Sequence, residues 1–185
     1  RDVMSRLAYG ARISLSVGLI VQVVSIAVGV LVGVTGVFAP KWISNPLMRF
    51  TDGMFAFPDI LLAFLIIGIY GPGLTAVLIA LGITAWPSIA RLVKNQVATL
   101  KDREFVVAAR AIGAPTPYLV IKHLMPQLIG IVLAVSMVDL AGTILAESTL
   151  SFLGVGVQAP APSWGTMINN ARGEMNAYPY HLVWP

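Results

Sequence analysis

KDREFVVAARAIGAPTPYLVIKHLMP, residues 101–126, is a charged, amphipathic stretch set between runs of almost pure hydrocarbon. Asp102 and Glu104 open a helix there, with negative charge at the positive end of the helix dipole. Phe105, Ala108, Ala109 and Ile112 then recur at i, i+3, i+4 and i+7, forming one narrow apolar stripe. Gly113 stops that helix because glycine takes positive φ without strain. Thr116-Pro117 supplies a cap and first position for a further helix running to Pro126. The stripe is small apart from Phe105 and Ile112 at its ends. Alanines let two backbones approach closely, and an exposed aromatic commonly fills a partner's pocket. Two readings stand: the stripe docks on another protein, or it lies against the ends of its own chain's spans.

Of the 185 residues, 57% are hydrophobic and only 11% charged, with a mean hydropathy of +0.85. Soluble domains are roughly a quarter charged, so composition alone makes this a bilayer protein. The net charge of +4 is small, yet Arg91, Lys94, Lys101, Arg103, Arg110 and Lys122 concentrate half of the Lys and Arg in one stretch. Leu, Val and Ala interleave with those cations at helical spacing, which argues against nucleic acid; retention of positive loops in the cytoplasm explains them. Cysteine is absent, so disulfides and thiolate metal sites are excluded. The chain starts at Arg1 and stops at Trp184-Pro185 as a new apolar stretch begins; it reads as a fragment of a longer protein, and no signal peptide is visible in it.

Four spans are expected. The first, residues 13–38, carries no charge and reaches about 39 Å, enough to cross a core of ~30 Å with tilt. Gly18, Gln22, Ser25, Gly29, Gly33 and Gly36 give it one small-residue face suited to close helix packing. Gly71-Pro72-Gly73 divides the following apolar run into two short spans, 54–70 and 74–90. Lys41, Arg49, Arg91 and Lys94 put both ends of this hairpin on one side, with eight of the twelve basic residues, hence cytoplasmic. Residues 91–126 form a cytoplasmic loop, and the fourth span, 127–146, leads away from it. Residues 151–178 then read as an external interfacial segment. In it Ser163 caps a short helix with Trp164, Met167, Ile168, Ala171 and Met175 on one face, and Tyr178, Tyr180 and Trp184 lie nearby.

Two strings carry a family resemblance. Val107-Ala108-Ala109, three residues, Gly113, nine residues, then His123-Leu124-Met125-Pro126 resembles the EAA loop of ABC-importer membrane subunits. Val107 departs from the motif's Glu, His123 from its Ile and Met125 from its Leu. EFVVAARAIGA (104–114), ESTLSFLGVGVQ (147–158) and PSWG (162–165) are similar to the dipeptide/oligopeptide/nickel permease branch, and the likeness covers essentially the whole chain. The resemblance implies an all-α membrane protein, a multi-span type I ABC-importer transmembrane domain in a prokaryotic inner membrane. It implies a coupling helix, residues 102–112, seated in a cytoplasmic ATP-binding subunit through Glu104, Phe105, Ala108, Ala109, Arg110, Ile112 and Gly113. The implied partners are a second permease subunit forming a heterodimer, two ATP-binding subunits that use ATP and Mg, and an external solute-binding protein. Di- or oligopeptides are the favoured substrate, with nickel or another small solute as the alternative.

Asp59 and Asp139 fall within or beside apolar runs, where a carboxylate costs about 2.5–3.5 kcal/mol to insert. They are candidates for lining a translocation pathway, or for hydrogen bonding to a neighbouring helix. Glu147 is expected at the membrane edge, in easy reach of solvent. His123 and His181 lack companions at ligand spacing, so no metal site is expected, and no Ser/His/Asp set suggests itself. No G-x-x-x-x-G-K-[ST] phosphate loop occurs, so ATP hydrolysis belongs to a partner. An intramembrane enzyme would need polar pairs within the spans, and only the two aspartates are available. A channel-like structural subunit is the remaining alternative, and it would not stimulate a partner ATPase.

Overall fold

The computed structural model describes residues 3–175 and 180, and among these only helices and their connections occur. The helices are α1 (Val3–Phe38), α2 (Lys41–Met54), α3 (Asp59–Tyr70), α4 (Leu74–Leu100), α5 (Glu104–Ala111), α6 (Thr116–Tyr118), α7 (Met125–Phe152) and α8 (Trp164–Arg172). A π-helical turn, Leu119–Leu124, links α6 to α7. Three of these are long and apolar enough to cross a membrane: α1, α4 and the continuous stretch Thr116–Phe152. Tyr178, His181 and Trp184, and the end of the expected interfacial segment, lie outside the described residues.

The second expected span differs most from the structure. A helix over 54–70 is replaced by α2 and α3, bent by 94° at the break between them. Pro58 is the physical cause: its ring disfavours helical geometry in the residue before it, and it sits extended (φ −61°, ψ 123°) ahead of α3. At 12 residues, α3 is only about 18 Å long and does not cross on its own. Gly71, with φ +84°, ends α3. By contrast α4 is unbroken from Leu74 to Leu100, so the apolar span and its amphipathic extension are one helix.

The chain divides into two compact units. The first comprises residues 1–23, 57–85 and 139–185. Its core joins Val17 and Val21 of α1, Ala63 and Ile67 of α3, Val77, Ala80 and Leu81 of α4, and Leu150 of α7. Gly18 lets α1 meet α7 closely, since a Cβ there would stand 2.9 Å from both Leu140 and Ile144.

The second unit comprises residues 24–56 and 86–138. Here Gly29 and Gly33 bring α1 against α4: an added Cβ would lie 2.6 Å from the Ile89 Cβ at Gly29 and 2.7 Å from the Val93 Cβ at Gly33. Such contact needs backbones nearer than any larger side chain allows. α2 adds a helix to the expected spans, with Pro46 inside it and a mixed composition. It is held by tertiary contacts: Met48 packs against Gly36, and the Ser44 hydroxyl donates to the Gly36 carbonyl. Arg91 stacks 3.9 Å over the Phe55 ring and pairs with Asp52 at 2.6 Å, while Phe50 stacks on Trp86.

Gly33→Val forces its branched side chain into the Ala90 carbonyl and Val93. It is expected to lower stability by about 2 kcal/mol, within the range of core overpacking. Gly53→Ala, at a helical position with nothing within 4 Å, is expected to be neutral or slightly stabilising. Thermal unfolding of the full-length protein in detergent separates the two.

Candidate partner-docking site

α5 follows α4 after a three-residue turn in which the Arg103 N–H donates to the Leu100 carbonyl. Glu104 occupies its first turn and Arg110 its last, each matching the helix dipole. Its C-terminus is a Schellman motif: the Ala114 N–H donates to Ala109 O at 3.1 Å and the Gly113 N–H to Arg110 O at 3.0 Å. Gly113 has φ +87°, a conformation a β-branched residue adopts only under strain.

The structure divides the apolar stripe. Val106 and Ala109 turn inward and pack among Val93 and Val97 of α4, Leu119 and Leu124 of the π-helical turn, and Leu128 and Val132 of α7. Ala109 therefore belongs to the chain's own core and is not a surface residue. Phe105 (40% exposed), Ala108 and Ile112 (88% exposed) stay outside, with Glu104, Arg110 and Gly113 also exposed. The four-residue stripe straddles the edge of the buried face, because residues three and four apart sit on either side of one line at about 100° per residue.

His123 departs from the general motif, and here it has neighbours that explain it. Its ring lies 6.4 Å from Phe105 and 5.7 Å, edge-on, from Tyr118. The three rings steady Phe105 beside the stripe, within the spacing of favourable aromatic pairs. The π-helical turn serves the same region. Leu119 and Leu124, five residues apart, are both buried, which a wider turn permits and an α-helical one would not. Pro126 cannot donate at the start of α7, which favours such irregular bonding just before it.

The two aspartates sit on different helices, Asp59 on α3 and Asp139 on α7. Asp59 is exposed in the first turn of α3, next to Pro58, where its charge meets the helix dipole. Asp139 is half-buried on α7, and its backbone carbonyl accepts from the Thr143 hydroxyl at 2.9 Å.

Glu147 overturns the expectation of a solvated edge position: it is fully buried, at 0% exposure. Ser14 Oγ donates to its Oε2 at 2.8 Å and Ser151 Oγ to its Oε1 at 2.7 Å. Ser151 Oγ accepts in turn from the Val157 N–H at 3.0 Å. Gly156 lies against Ser151 and Gly165 against the Ser148 carbonyl, both too close for a Cβ. Ser163 caps α8 through a reciprocal box with Thr166. The pair Glu147 and Ser151 at i, i+4, followed by closely spaced glycines, was the signal in the sequence; Ser14, 133 residues away, was not visible there.

Glu147→Ala leaves the Ser14 and Ser151 hydroxyls without their acceptor and is expected to destabilise the protein by about 2–4 kcal/mol. Glu147→Gln keeps one acceptor oxygen and is expected to fall between the two. Midpoints of thermal unfolding in detergent check the order.

Residues 25–180 match the family described as binding-protein-dependent transport system inner membrane component. The chain is 35% identical over all its length to the oligopeptide transport system permease protein OppC of Haemophilus influenzae. It is 36% identical to the glutathione transport system permease protein GsiD of Escherichia coli. It spans 60% and 61% of the length of these two curated relatives. Its fold is similar to a chain of the MetNI methionine ABC transporter in an inward-facing conformation, with a TM-score of 0.79 at 21% identity over 97% of this chain and 88% of that one. The long apolar helices, the helix ending at Gly113 and the family match agree, and the chain belongs to the binding-protein-dependent transport system inner membrane component family.

Proposed function

We propose that this chain is the membrane-spanning permease part of an ATP-driven importer, with α5 as the coupling helix that a cytoplasmic ATP-binding subunit grips. One observation carries the reading. α5 offers Phe105, Ala108 and Ile112 outward while Val106 and Ala109 lock it to the ends of α4 and α7. A partner that displaces the exposed face therefore moves two long helices with it, which is what transmission from a nucleotide-driven closure requires. ATP and Mg are used by two such partner subunits. A second permease subunit completes the pathway as a heterodimer, and an external solute-binding protein delivers the substrate.

Di- or oligopeptides are the substrate class we favour. Relatives similar to the whole of this chain over 60–61% of their own length are named for oligopeptides and for glutathione, itself a small peptide. Asp139, half-buried in a long apolar helix, is our candidate for lining the pathway, because ionisable groups at such depth commonly face protein or water.

Phe105→Ala removes the anchor, at about 2 kcal/mol or more of docking energy for a hot spot, and Gly113→Val strains the end of α5. Both are expected to insert normally and to uncouple peptide uptake from ATP hydrolysis in proteoliposomes holding the full complex. Normal uptake by both variants would end the coupling assignment. Asp139→Asn is expected to alter the kinetics of peptide uptake in the same assay; unchanged kinetics for every peptide tried would remove Asp139 from the pathway.

A further inference from the structure

After α7 the chain doubles back at Gly154, whose φ is +85°, with the Val155 and Gly156 N–H groups donating to the Leu150 carbonyl. This segment, the start of α1 and the outer side of α8 enclose a cavity of about 440 Å³ within the first unit. That volume falls in the range of small-molecule sites, roughly 300–1,000 Å³. Nothing in the docking role of α5 uses it.

The lining is chemically divided. Arg6 is exposed and has no carboxylate partner among the described residues. Asn169 and Asn170 line the cavity from α8, and their amides can both donate and accept. Gln158 commits its NH₂ to the Gly154 and Gly156 carbonyls at 3.0 and 3.1 Å, so its Oε1 is left as a pure acceptor. Val157 and Met167 supply apolar wall. The wall at Ser151 is rigid because Glu147 and the Val157 N–H hold that hydroxyl from two sides. The site is thus preformed, and it offers one guanidinium, neutral amides and an apolar patch.

We propose that this cavity binds the carboxylate end of a short peptide, with Arg6 taking the carboxylate and the Asn169–Asn170 amides meeting the adjoining peptide group. A guanidinium fork matches a carboxylate in two parallel hydrogen bonds. Amide side chains match a peptide N–H and C=O, and Met167 with Val157 faces a side chain. The choice of a peptide among carboxylate solutes rests on the transport reading above; the need for a carboxylate rests on Arg6 alone.

The test is equilibrium dialysis of radiolabelled Ala-Ala and of its C-terminal amide against the full complex in detergent, without nucleotide and without the external receptor. Wild-type complex is expected to bind the free acid more tightly than the amide. Arg6→Gln is expected to weaken the free acid by about tenfold, the loss of a guanidinium–carboxylate pair at a solvent-reached site, and to leave the amide unchanged. Arg6→Lys restores part of the difference, and Asn170→Asp weakens the acid by placing like charge beside it. Equal binding of acid and amide by wild type, or an equal loss of both in Arg6→Gln, overturns the proposal, as does wild-type complex that binds neither. Peptide uptake is measured separately: binding intact with no uptake would overturn the transport reading and leave this site standing.

Discussion

Val106 and Ala109 turn an eight-residue helix into part of the second unit's core. A helix of that length has too few internal hydrogen bonds to repay its nucleation and does not persist alone in water. Burying a valine is worth about 1.5–3 kcal/mol, and the alanine beside it lets the backbone sit flush on the core of the second unit. The Schellman bonds to Ala109 and Arg110 then close the end without adding bulk. What remains outside is a short rigid face, Phe105–Ala108–Ile112, positioned by the residues between.

The two units reach close packing by different chemistry. In the second, Gly29 and Gly33 let α1 touch α4 at Ile89 and Val93, so dispersion over a long contact holds the helices. In the first, the Gly18 approach is joined by a polar clasp, in which Ser14, Ser151 and Glu147 connect the N-terminal part of α1 to the end of α7. A carboxylate buried without donors would be costly. With a hydroxyl on each oxygen it orders both helices and, through Ser151 and Val157, the loop that follows.

Features carried by neighbouring residues are legible in the sequence. Gly71-Pro72-Gly73 breaks the chain between α3 and α4, Gly113 ends α5, and Ser163 caps α8. Each follows from backbone restriction or local hydrogen bonding. α2 forms although Pro46 and a mixed composition disfavour a helix; contacts from Gly36 to Met48 and Ser44 override that local preference. The helix expected over 54–70 is interrupted ahead of Pro58, where the composition is apolar but the proline disfavours helical geometry in the residue before it.

The amino-acid string determined class and surface: apolar length sets the membrane helices, and glycine, proline and cap residues set where several of them stop. It also marked the stretch around Phe105 as a charged amphipathic element between apolar runs. Only tertiary structure decided that Ala109 faces inward, that Glu147 is buried and that Arg6 shares a cavity with Asn170. The reason is physical: periodicity tells which residues share a helix face, whereas burial depends on what packs there, and Ser14 meets Glu147 across 133 positions that no local pattern connects.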